Sequence, residues 1–499
     1  MNTTNILRNK TTKIVVYSIL LLFILLGLAR SFRHYYVARL DGDIAESVLP
    51  YPPIQKIFDD PVGIKTIMDH EKHQGPNRFF SHYFLHKTFR ILPQFLQKFT
   101  DPIESVYLTA AISKILMHIL ILLFFVMIIN GKINFFSLSF ISTAALLIPF
   151  FHTNGKYLAH EIGILDNSAS YCFFYALPLI FLLIYYLPIF YELIHHKRIK
   201  MNWLLILIWS MFAIMACFSG PLNSPIILIT NLLLFLHLFY KNWKANVVTS
   251  FHQRIKLCFL KIDKRFYWFL FPITFLAFYS SFLGTYNNVY SDIQLSLTER
   301  YSILPKGVFK SFTTVSYIIF LFILISNYLI VSLKYKQDSQ TKIIFGLYRF
   351  LLVFSLLYII LLPLGGYRPY RPLILRYDTI IPITVLCIIT ICYTSIFILK
   401  KLKIEKWTYF LKSVYPSVFL IILTFFLIRN KTYFHNECEK PSLYIIANAQ
   451  EDVVVLYNDC RVVGWEPIYY PEESKYYGEL LYLWNITDKP KLYYNVVPE

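Results

Sequence analysis

Long apolar runs recur along nearly the whole chain, and they restrict its fold more than any other feature. They approach or reach the roughly 17–25 residues with which a helix crosses about 30 Å of hydrocarbon. Only 15% of the 499 residues are charged, whereas soluble domains carry about 25%. The sequence therefore predicts an all-α polytopic membrane protein with about eleven transmembrane helices. The predicted spans are Ile14–Leu28, Val106–Ile129, Phe135–Phe151, Tyr171–Tyr191, Trp203–Phe218, Pro225–Tyr240, Phe266–Leu283, Val315–Leu333, Tyr348–Leu364, Ile380–Leu399 and Tyr409–Ile428.

Basic residues cluster in alternate loops between these runs. The basic loops include His195–Met201, Lys241–Arg265, Lys334–Arg349 and Lys400–Trp407. By the positive-inside rule, this pattern predicts a cytoplasmic N-terminus and an extracytoplasmic C-terminus, in the plasma (inner) membrane. Nearly all Asp and Glu residues then face outside. The formal net charge of +19 has the same explanation, and without a zinc-finger or RNA-binding signature we expect no nucleic-acid partner.

The predicted topology leaves two large outer segments. The transmembrane domain, residues 1–428, includes a long first loop at 29–103, and residues 429–499 form a small α+β extracytoplasmic domain. In this tail, Ser442–Ile446 and Val453–Tyr457 are rich in apolar, β-branched or aromatic residues and predict strands. Its many aromatic side chains are expected to cap the helical bundle or to lie at the membrane interface.

Cysteine placement agrees with this topology. Cys438 and Cys460 are the two cysteines of the tail, where an oxidising compartment permits a disulfide. The alternative is a pair of free thiols in a small apolar core. The other five cysteines lie in or beside predicted helices, where we expect them to be inert packing residues.

The first outer loop begins with a pair of carboxylates, Asp41 and Asp43, separated by Gly42. Their side chains can converge if the glycine adopts a turn conformation closed to other residues. Such a pair can bind a divalent cation such as Mg²⁺ or Mn²⁺ through oxygen ligands, or provide a general base. Glu46 follows as a secondary candidate. The alternative for the pair is an ordinary Asp-Gly turn.

Two later stretches of this loop also carry candidate ligands. Asp59 and Asp60 precede a proline, a pattern that usually starts a turn or caps a helix. Arg78–Thr100 has apolar pairs at helical spacing between basic residues, which predicts an amphipathic helix lying in the membrane interface. On it, His82 and His86 have the i, i+4 spacing of a metal-binding pair, although such histidines more often belong to a polar face.

The segment Gly366–Asp378, here called the arginine loop, precedes the tenth predicted helix. It carries Arg368, Arg371, Arg376 and Asp378. Because the positive-inside rule disfavours arginines in a short outer loop, they require an explanation. Guanidinium groups match the geometry of phosphate, so one explanation is a lipid phosphate. The other is salt bridges to the acidic first loop, and both place the arginine loop near Asp41 and Asp43.

Further polar groups lie in two other outer loops and within a helix. The stretches His152–Asn167 and Tyr286–Tyr301 concentrate polar residues. Lys114 and His118 lie one turn apart near the middle of the second predicted helix. Ionisable groups at that depth usually face a partner or a water-filled cavity.

This layout resembles the GT-C superfamily of membrane glycosyltransferases, which includes oligosaccharyltransferase catalytic subunits and protein O-mannosyltransferases. In that family a long outer loop follows the first helix and carries an acidic motif, often D-x-D, before interfacial helices. A soluble outer domain often closes the chain. Asp41-Gly42-Asp43 matches the acidic motif, Arg78–Thr100 the interfacial helices, and residues 429–499 the terminal domain, which is smaller than in many members.

The resemblance implies a chemical role for each group. Asp41 or Asp43 would deprotonate the acceptor or help to bind a metal ion. The donor would be a polyprenyl-phosphate-linked sugar reaching the site from the membrane lipids, with its phosphate held by the arginine loop. The acceptor would be a lipid, a glycan or a protein on the extracytoplasmic face.

Two other functions remain open on the sequence. An O-antigen-type polysaccharide polymerase or ligase is also polytopic, but such enzymes usually carry their large Arg-rich loop late in the chain. A non-enzymatic lipid or glycan transporter would predict internal repeats and broken helices at the midplane, and neither is clear in the sequence.

Overall fold

The structure is a computed structural model and describes residues 10–132, 134–151, 163–198, 202–245, 250–289, 295–404, 409–429 and 436–496. Most of these residues are helical, and one two-stranded sheet lies near the C-terminus. In chain order the elements are α1 (Lys10–Tyr36), α2 (Gly42–Val48), α3 (Pro52–Asp59), α4 (Ile64–Met68), α5 (Phe79–Leu96), α6 (Pro102–Asn130), α7 (Leu138–Leu147), α8 (Ala169–His195), α9 (Trp203–Cys217), α10 (Asn223–Ala245), α11 (Phe251–Leu260), α12 (Lys264–Leu283), α13 (Leu297–Phe312), α14 (Val315–Lys334), α15 (Ser339–Leu361), α16 (Ile381–Ile404), α17 (Tyr409–Arg429), α18 (Glu439–Asn448), β1 (Val453–Leu456), α19 (Lys475–Leu483) and β2 (Leu492–Asn495).

Eight helices within the described ranges are long and apolar enough to cross a membrane: α1, α6, α8, α10, α12, α14, α15 and α16. Each corresponds to one of the predicted spans. Large apolar side chains remain exposed on them, including Trp268 at 80% and Phe275 at 74%. An exposed apolar surface of this extent fits lipid rather than water. The protein is therefore a mostly helical, multi-pass membrane protein.

Three predicted spans form shorter apolar helices: α7, α9 and the described apolar part of α17, Lys412–Ile428. For example, α9 has 15 residues and rises about 22 Å at 1.5 Å per residue. The hydrocarbon core of a bilayer is about 30 Å thick. A total of eleven crossings therefore stays a prediction.

The centre of the bundle is α6, which packs against α1, α8 and α16. The apolar stretches of α6, α8 and α16 are mostly buried, whereas that of α1 is largely exposed. The polar groups predicted at mid-membrane lie in this centre and both have partners. Lys114 donates to the carbonyl of Asn167, and His118 Nδ1 lies 3.2 Å from the hydroxyl of Tyr35.

The first loop folds into four helices, α2 to α5, between α1 and α6. The predicted amphipathic helix is α5, with Pro93 inside it. One side of α5 is buried through residues such as His82, Leu85 and Phe89, while Ile91 and Phe95 are exposed. The buried side packs on α2 and α6, so α5 fixes residues 40–46, here called the acidic segment, against the bundle.

The tail contains the two short helices α18 and α19 and a sheet of two parallel strands, in which Val453 pairs with Leu492 and Leu456 with Asn495. The strand predicted at Val453–Tyr457 is confirmed as β1. The strand predicted at Ser442–Ile446 is wrong, because these residues lie in α18. There Leu443 and Ile446 are buried at a spacing of three, which a helix brings to one face and an alternating strand does not.

Cys438 and Cys460 form a disulfide with a Cα–Cα distance of 5.7 Å. This confirms the bridged alternative. The bridge ties the start of α18 to the loop that follows β1. Cys172, Cys217, Cys258, Cys387 and Cys392 are buried free thiols, as expected for packing residues.

Candidate functional site

The acidic segment adopts a different local structure from the predicted turn. Asp41 is the N-cap of α2, in an extended conformation, and Gly42 is the first helical residue. The glycines with positive φ in the described residues do not include Gly42. Its small size serves a close approach instead, because a Cβ at this position would lie 2.7 Å from Cδ1 of Trp465. The prediction of a special turn at Gly42 is therefore wrong.

The two carboxylates of the segment have different surroundings. Asp41 is 2% exposed, and its Oδ2 accepts hydrogen bonds from Ser168 Oγ at 2.9 Å and from the Ser170 N–H at 3.1 Å. Asp43 accepts a hydrogen bond from Trp465 Nε1 at 2.9 Å. Asp43 lines a large cavity, and Asp41 is not among the described residues that do. The sequence suggested that the two side chains converge on one ligand. In the structure they do not, because Asp43 faces the cavity and Asp41 is buried away from it.

The cavity has a volume of about 1380 Å³ and is open to solvent. Its walls come from α2, from the start of α5 and of α8, from α13 and α14, from the arginine loop and from the tail. They carry the carboxylates of Asp43 and Glu46 and a set of basic residues. Aromatic rings complete the lining: Tyr171, Tyr175, Tyr370, Tyr377 and Trp465.

Asp43 and Glu46 lie three residues apart on α2, so both project from one face of the helix. Burial and the nearby Asp41 raise the pKa of Asp43 to about 6. Burial, Asp43 and Asp41 raise the pKa of Glu46 to about 7. Carboxyl groups that titrate near neutral pH can both accept and release protons at physiological pH. The secondary candidate Glu46 is thus brought together with Asp43.

In the arginine loop, Arg371 and Arg376 share one carboxylate. Arg371 Nη1 lies 2.6 Å from Asp378 Oδ2, and Arg376 Nε lies 2.8 Å from Asp378 Oδ1. Although burial raises the pKa of Asp378, the two guanidinium groups hold it below its usual range. The salt-bridge explanation therefore applies to Arg371 and Arg376, but their partner is Asp378 and not the first loop. Both arginines still line the cavity.

Two other arginines face the cavity without an ion pair among the described residues: Arg368 and Arg78. Arg368 Nη1 donates to the hydroxyl of Tyr370 at 2.9 Å. Arg78 lies 6.0 Å from the ring centre of Phe174. Burial and the neighbouring Arg368 lower the pKa of Arg78 to about 10. Two guanidinium groups that face one space, neither of them in an ion pair, are suited to bind a phosphate.

Arg78 was missed as a site residue on the sequence, where it belonged to the polar face of the predicted amphipathic helix. It is the N-cap of α5 and follows the turn at Gly75, which has a positive φ. The turn is a recognisable signal that the helix begins here. That this end of the helix faces the arginine loop depends on tertiary packing alone.

The histidines of α5 hold α2 in place rather than forming a metal-binding pair. One ring nitrogen of His82 lies 3.1 Å from Ser47 Oγ, and one of His86 lies 2.9 Å from the Ser47 carbonyl. Burial and the nearby Arg78 lower the pKa of His82 to about 3, so its imidazole is neutral. His82 still contributes to the cavity wall.

The acidic pair Asp59-Asp60 lies outside the cavity lining. Asp60 Oδ2 accepts hydrogen bonds from the Thr66 N–H and hydroxyl, each at 2.8 Å. Asp59 accepts one from the Gln55 amide at 2.8 Å on an exposed surface. Asp60 thus orders the turn between α3 and α4, and Asp59 bonds within α3, so neither is placed at the cavity with Asp43.

A cation at the acidic segment would find few protein ligands. Among the described residues, no three His, Cys, Asp or Glu side chains converge as metal ligands. Asp41 Oδ1 is buried and has no hydrogen-bond partner in the described part of the chain, so an ion or water there would satisfy it. Mg²⁺ is usually bound by one or two carboxylates together with substrate phosphates and water. The donor set therefore fits Mg²⁺ or Mn²⁺ only when substrate supplies the remaining ligands.

The tail contributes directly to the site through Trp465. Besides donating to Asp43, its ring lies 5.4 Å from that of Tyr171, centre to centre. The sequence predicted that tail aromatics cap the bundle or lie at the interface. Trp484 packs on the first loop instead, since it is fully buried and donates to the carbonyl of Phe89 in α5 at 2.8 Å. The placement of Trp465 in the cavity has no local sequence signal.

The buried carboxylate of Glu439 joins three parts of the chain. It accepts hydrogen bonds from the Leu40 N–H at 2.9 Å, the Tyr107 hydroxyl at 2.8 Å and the Val463 N–H at 2.9 Å. These donors belong to the acidic segment, to α6 and to the loop that carries Trp465. Glu439 follows Cys438 of the disulfide, so the same junction has both a covalent and a hydrogen-bonded connection.

The remaining polar loops are described only in part. Residues 152–162, with His152, Lys156, His160 and Glu161, and residues 290–294, with Asp292, lie outside the described residues. In the stretch His152–Asn167, Asn167 is described and its carbonyl accepts a hydrogen bond from Lys114, while the neighbouring Ser168 and Ser170 donate to Asp41.

Comparison of the chain with protein-family models, with curated proteins and with solved structures found no significant match.

Proposed function

We propose that this protein is a GT-C-type membrane glycosyltransferase that transfers a sugar from a polyprenyl-phosphate donor to an acceptor. The observation that carries the proposal is the content of the cavity. Carboxyl groups on α2 whose pKa values lie near neutral pH face the same space as guanidinium groups that form no ion pair within the described residues. The cavity wall continues to the ends of helices long enough to cross a membrane. A lipid-linked sugar phosphate needs these three surfaces together.

The donor phosphate binds between Arg78 and Arg368. These two cations form no ion pair within the described residues, whereas Arg371 and Arg376 are partly neutralised by their ion pairs with Asp378. Arg371 and Arg376 add positive charge behind this site. Because the phosphate gains negative charge as it departs from the sugar, fixed guanidinium groups stabilise the transition state more than the ground state.

Asp43 is the general base. It accepts the proton of an acceptor hydroxyl while the oxygen attacks the anomeric carbon of the sugar. The bond between that carbon and the phosphate oxygen breaks, and polyprenyl phosphate leaves with the bonding electron pair. Glu46 lies next to Asp43 and can take the proton onward to solvent. Trp465 holds Asp43 through its indole N–H, and the aromatic lining provides flat apolar surfaces for the sugar ring.

The proposal includes the orientation predicted by the basic loops. An N-terminus in the cytoplasm places the first loop, the arginine loop and the tail on the extracytoplasmic face. Their joint contribution to one cavity supports this arrangement, because loops on opposite sides of a bilayer cannot share a site. The disulfide of the tail is also consistent with an oxidising compartment.

The proposal is tested by incubating purified full-length protein with polyprenyl-phosphate sugars. Release of polyprenyl phosphate and glycosylation of a mixed lipid acceptor are measured with and without EDTA. We expect Asp43→Asn to lower the rate by about 10²–10⁴-fold, the usual contribution of a general base. Asp59→Asn is the matched control, because Asp59 lies on an exposed surface away from the cavity.

Each outcome of this experiment has a distinct meaning. Equal rates for Asp43→Asn and wild type contradict the role of Asp43. No consumption of any polyprenyl-phosphate sugar by wild-type protein contradicts the function. Loss of activity in EDTA that Mg²⁺ or Mn²⁺ restores assigns a cation to the acidic segment, and full activity in EDTA removes it from the mechanism.

A further inference from the structure

The helix α13 forms one wall of the cavity at the level where a membrane span begins. It begins with a capping box formed by Ser296 and Glu299, and α14 starts three residues after its end. Leu297, Tyr301 and Phe309 of α13 are exposed, Phe309 at 72%. A helix that exposes apolar residues beside the end of a membrane span is suited to lie in the membrane interface.

A glycine brings α13 against the arginine loop. Gly307 is the buried residue of α13, and a Cβ there would lie 2.7 Å from the carbonyl oxygen of Leu375. The helix backbone thus packs directly on the backbone of the loop that carries Arg376 and Asp378. This contact fixes the direction in which the neighbouring side chains of α13 project.

Two lysines of α13, Lys306 and Lys310, line the cavity. They are one helical turn apart and therefore share a face. Both are exposed, and neither forms an ion pair within the part of the chain that the structure describes. By contrast, the side chains of Arg371 and Arg376 are only 9% and 15% exposed. The cavity therefore has inner guanidinium groups and, nearer to solvent, a separate pair of ammonium groups.

Apolar side chains line the same cavity beside these lysines. Val315 and Tyr317 belong to the first turn of α14, Leu373 to the arginine loop, and Ile380 directly precedes α16. Since α14 and α16 pack together and are long enough to span a membrane, this apolar surface continues toward the bilayer. Ammonium groups beside an apolar surface that leads into hydrocarbon match a lipid with a phosphate in its head group.

We propose that Lys306 and Lys310 bind the phosphate of a second lipid, and that this lipid is the sugar acceptor. The assignment rests on the proposed function and specifies its acceptor class. The donor phosphate occupies the inner site at Arg78 and Arg368. The acceptor lipid lies with its chains along the apolar surface and its phosphate on α13, and presents a hydroxyl of its head group to Asp43.

Binding measurements test this separately from catalysis. Full-length protein in neutral nanodiscs is titrated with phosphatidic acid and with undecaprenyl phosphate, and its tryptophan fluorescence is followed. We expect the double substitution Lys306→Gln/Lys310→Gln to weaken phosphatidic acid binding by about tenfold or more, since two charge-assisted contacts are lost. Binding of undecaprenyl phosphate should change less than about twofold, and Arg368→Gln should give the reverse pattern.

The matched control is Lys334→Gln/Lys336→Gln, which removes two exposed lysines at the opposite end of α14 and should leave both affinities unchanged. Glycerol phosphate, which lacks the acyl chains, separates lipid binding from simple phosphate binding, and we expect it to bind weakly. Tight binding of glycerol phosphate that depends on the two lysines would identify a soluble phosphate ligand and overturn the lipid assignment.

Other results would also overturn the proposal. Unchanged phosphatidic acid binding in the lysine variant removes the site. Competition between the two lipids for one lysine-dependent site assigns the lysines to the donor. Sugar transfer to a peptide, with no transfer to a phosphate-bearing lipid, assigns a different acceptor class. Lysine-dependent binding without any sugar transfer would instead contradict the proposed function and leave this site intact.

Discussion

At the scale of single residues, the proposed chemistry depends on the different surroundings of the carboxylates at the start of α2. Asp41 is buried behind the cavity wall, where it accepts hydrogen bonds from Ser168 and Ser170. Its charge helps to raise the pKa of Asp43. Asp43 and Glu46 reach the cavity. The position of the segment after the first helix was enough to select it as a candidate from the sequence. The different surroundings of its carboxylates could not be predicted, because they depend on partners more than a hundred residues away in the chain.

The pH dependence of activity should reflect Asp43. As the proposed general base, Asp43 must be ionised to accept a proton, so the rate should rise as the pH increases through its pKa of about 6. The Trp465 hydrogen bond lowers this pKa, so Trp465→Phe should move the midpoint upward by about 0.5 to 1 pH unit. The measurement is the rate of sugar transfer from pH 4.5 to 8.5. An unmoved midpoint would show that the indole N–H does not act on the catalytic carboxylate.

At the scale of elements, helices and loops set the direction of each wall of the cavity. The apolar runs predicted most of the long helices because their length and composition are read directly from the sequence. The strand assigned to Ser442–Ile446 was wrong because a short apolar segment fits either structure and packing decides between them. The contact of α13 with the arginine loop also has no signal beyond a single glycine.

Substitution of Gly307 tests whether α13 supports the arginine loop. A Cβ at residue 307 would lie 2.7 Å from the Leu375 carbonyl oxygen, so Gly307→Ala should displace the loop. We expect donor turnover to fall by roughly tenfold or more, as displacements of about 1 Å commonly cause. The matched control is Gly346→Ala in α15, where nothing lies within 4 Å of the new atom. Equal activity of the two variants would contradict the supporting role.

At the scale of the whole molecule, a multi-pass helical bundle was predictable from composition and length alone. The cavity could not be predicted in this way, because its walls combine distant parts of the chain: the first loop, the arginine loop, α13 and the tail. These parts meet through a few buried contacts, such as those of Glu439 and the disulfide. The orientation in the membrane follows from the distribution of basic loops and remains the prediction on which the shared site depends.

Cysteine chemistry in intact cells measures that orientation. Single engineered cysteines at Asp59 and Lys334, in a background where the buried free thiols are replaced by alanine or serine, are treated with a membrane-impermeant maleimide. We expect labelling at residue 59 and protection at residue 334 until the membrane is permeabilised. Cys438 and Cys460 should become reactive only after reduction, because they form a disulfide. Labelling at residue 334 alone would show that the protein has the opposite orientation to the predicted one. The proposed site would then face the cytoplasm, away from an extracellular substrate.

The insertion of Trp465 beside Asp43 also has a consequence for biosynthesis. The two residues are 422 positions apart, so a ribosome makes nearly the entire polypeptide before the acidic segment acquires its partner. An incomplete chain that has already entered the bilayer would have the arginine loop and the first loop but lack the indole and the Glu439 junction. If the proposed function holds, a nascent copy would therefore lack a complete site around Asp43 until translation is almost finished, and would leave the donor lipid untouched.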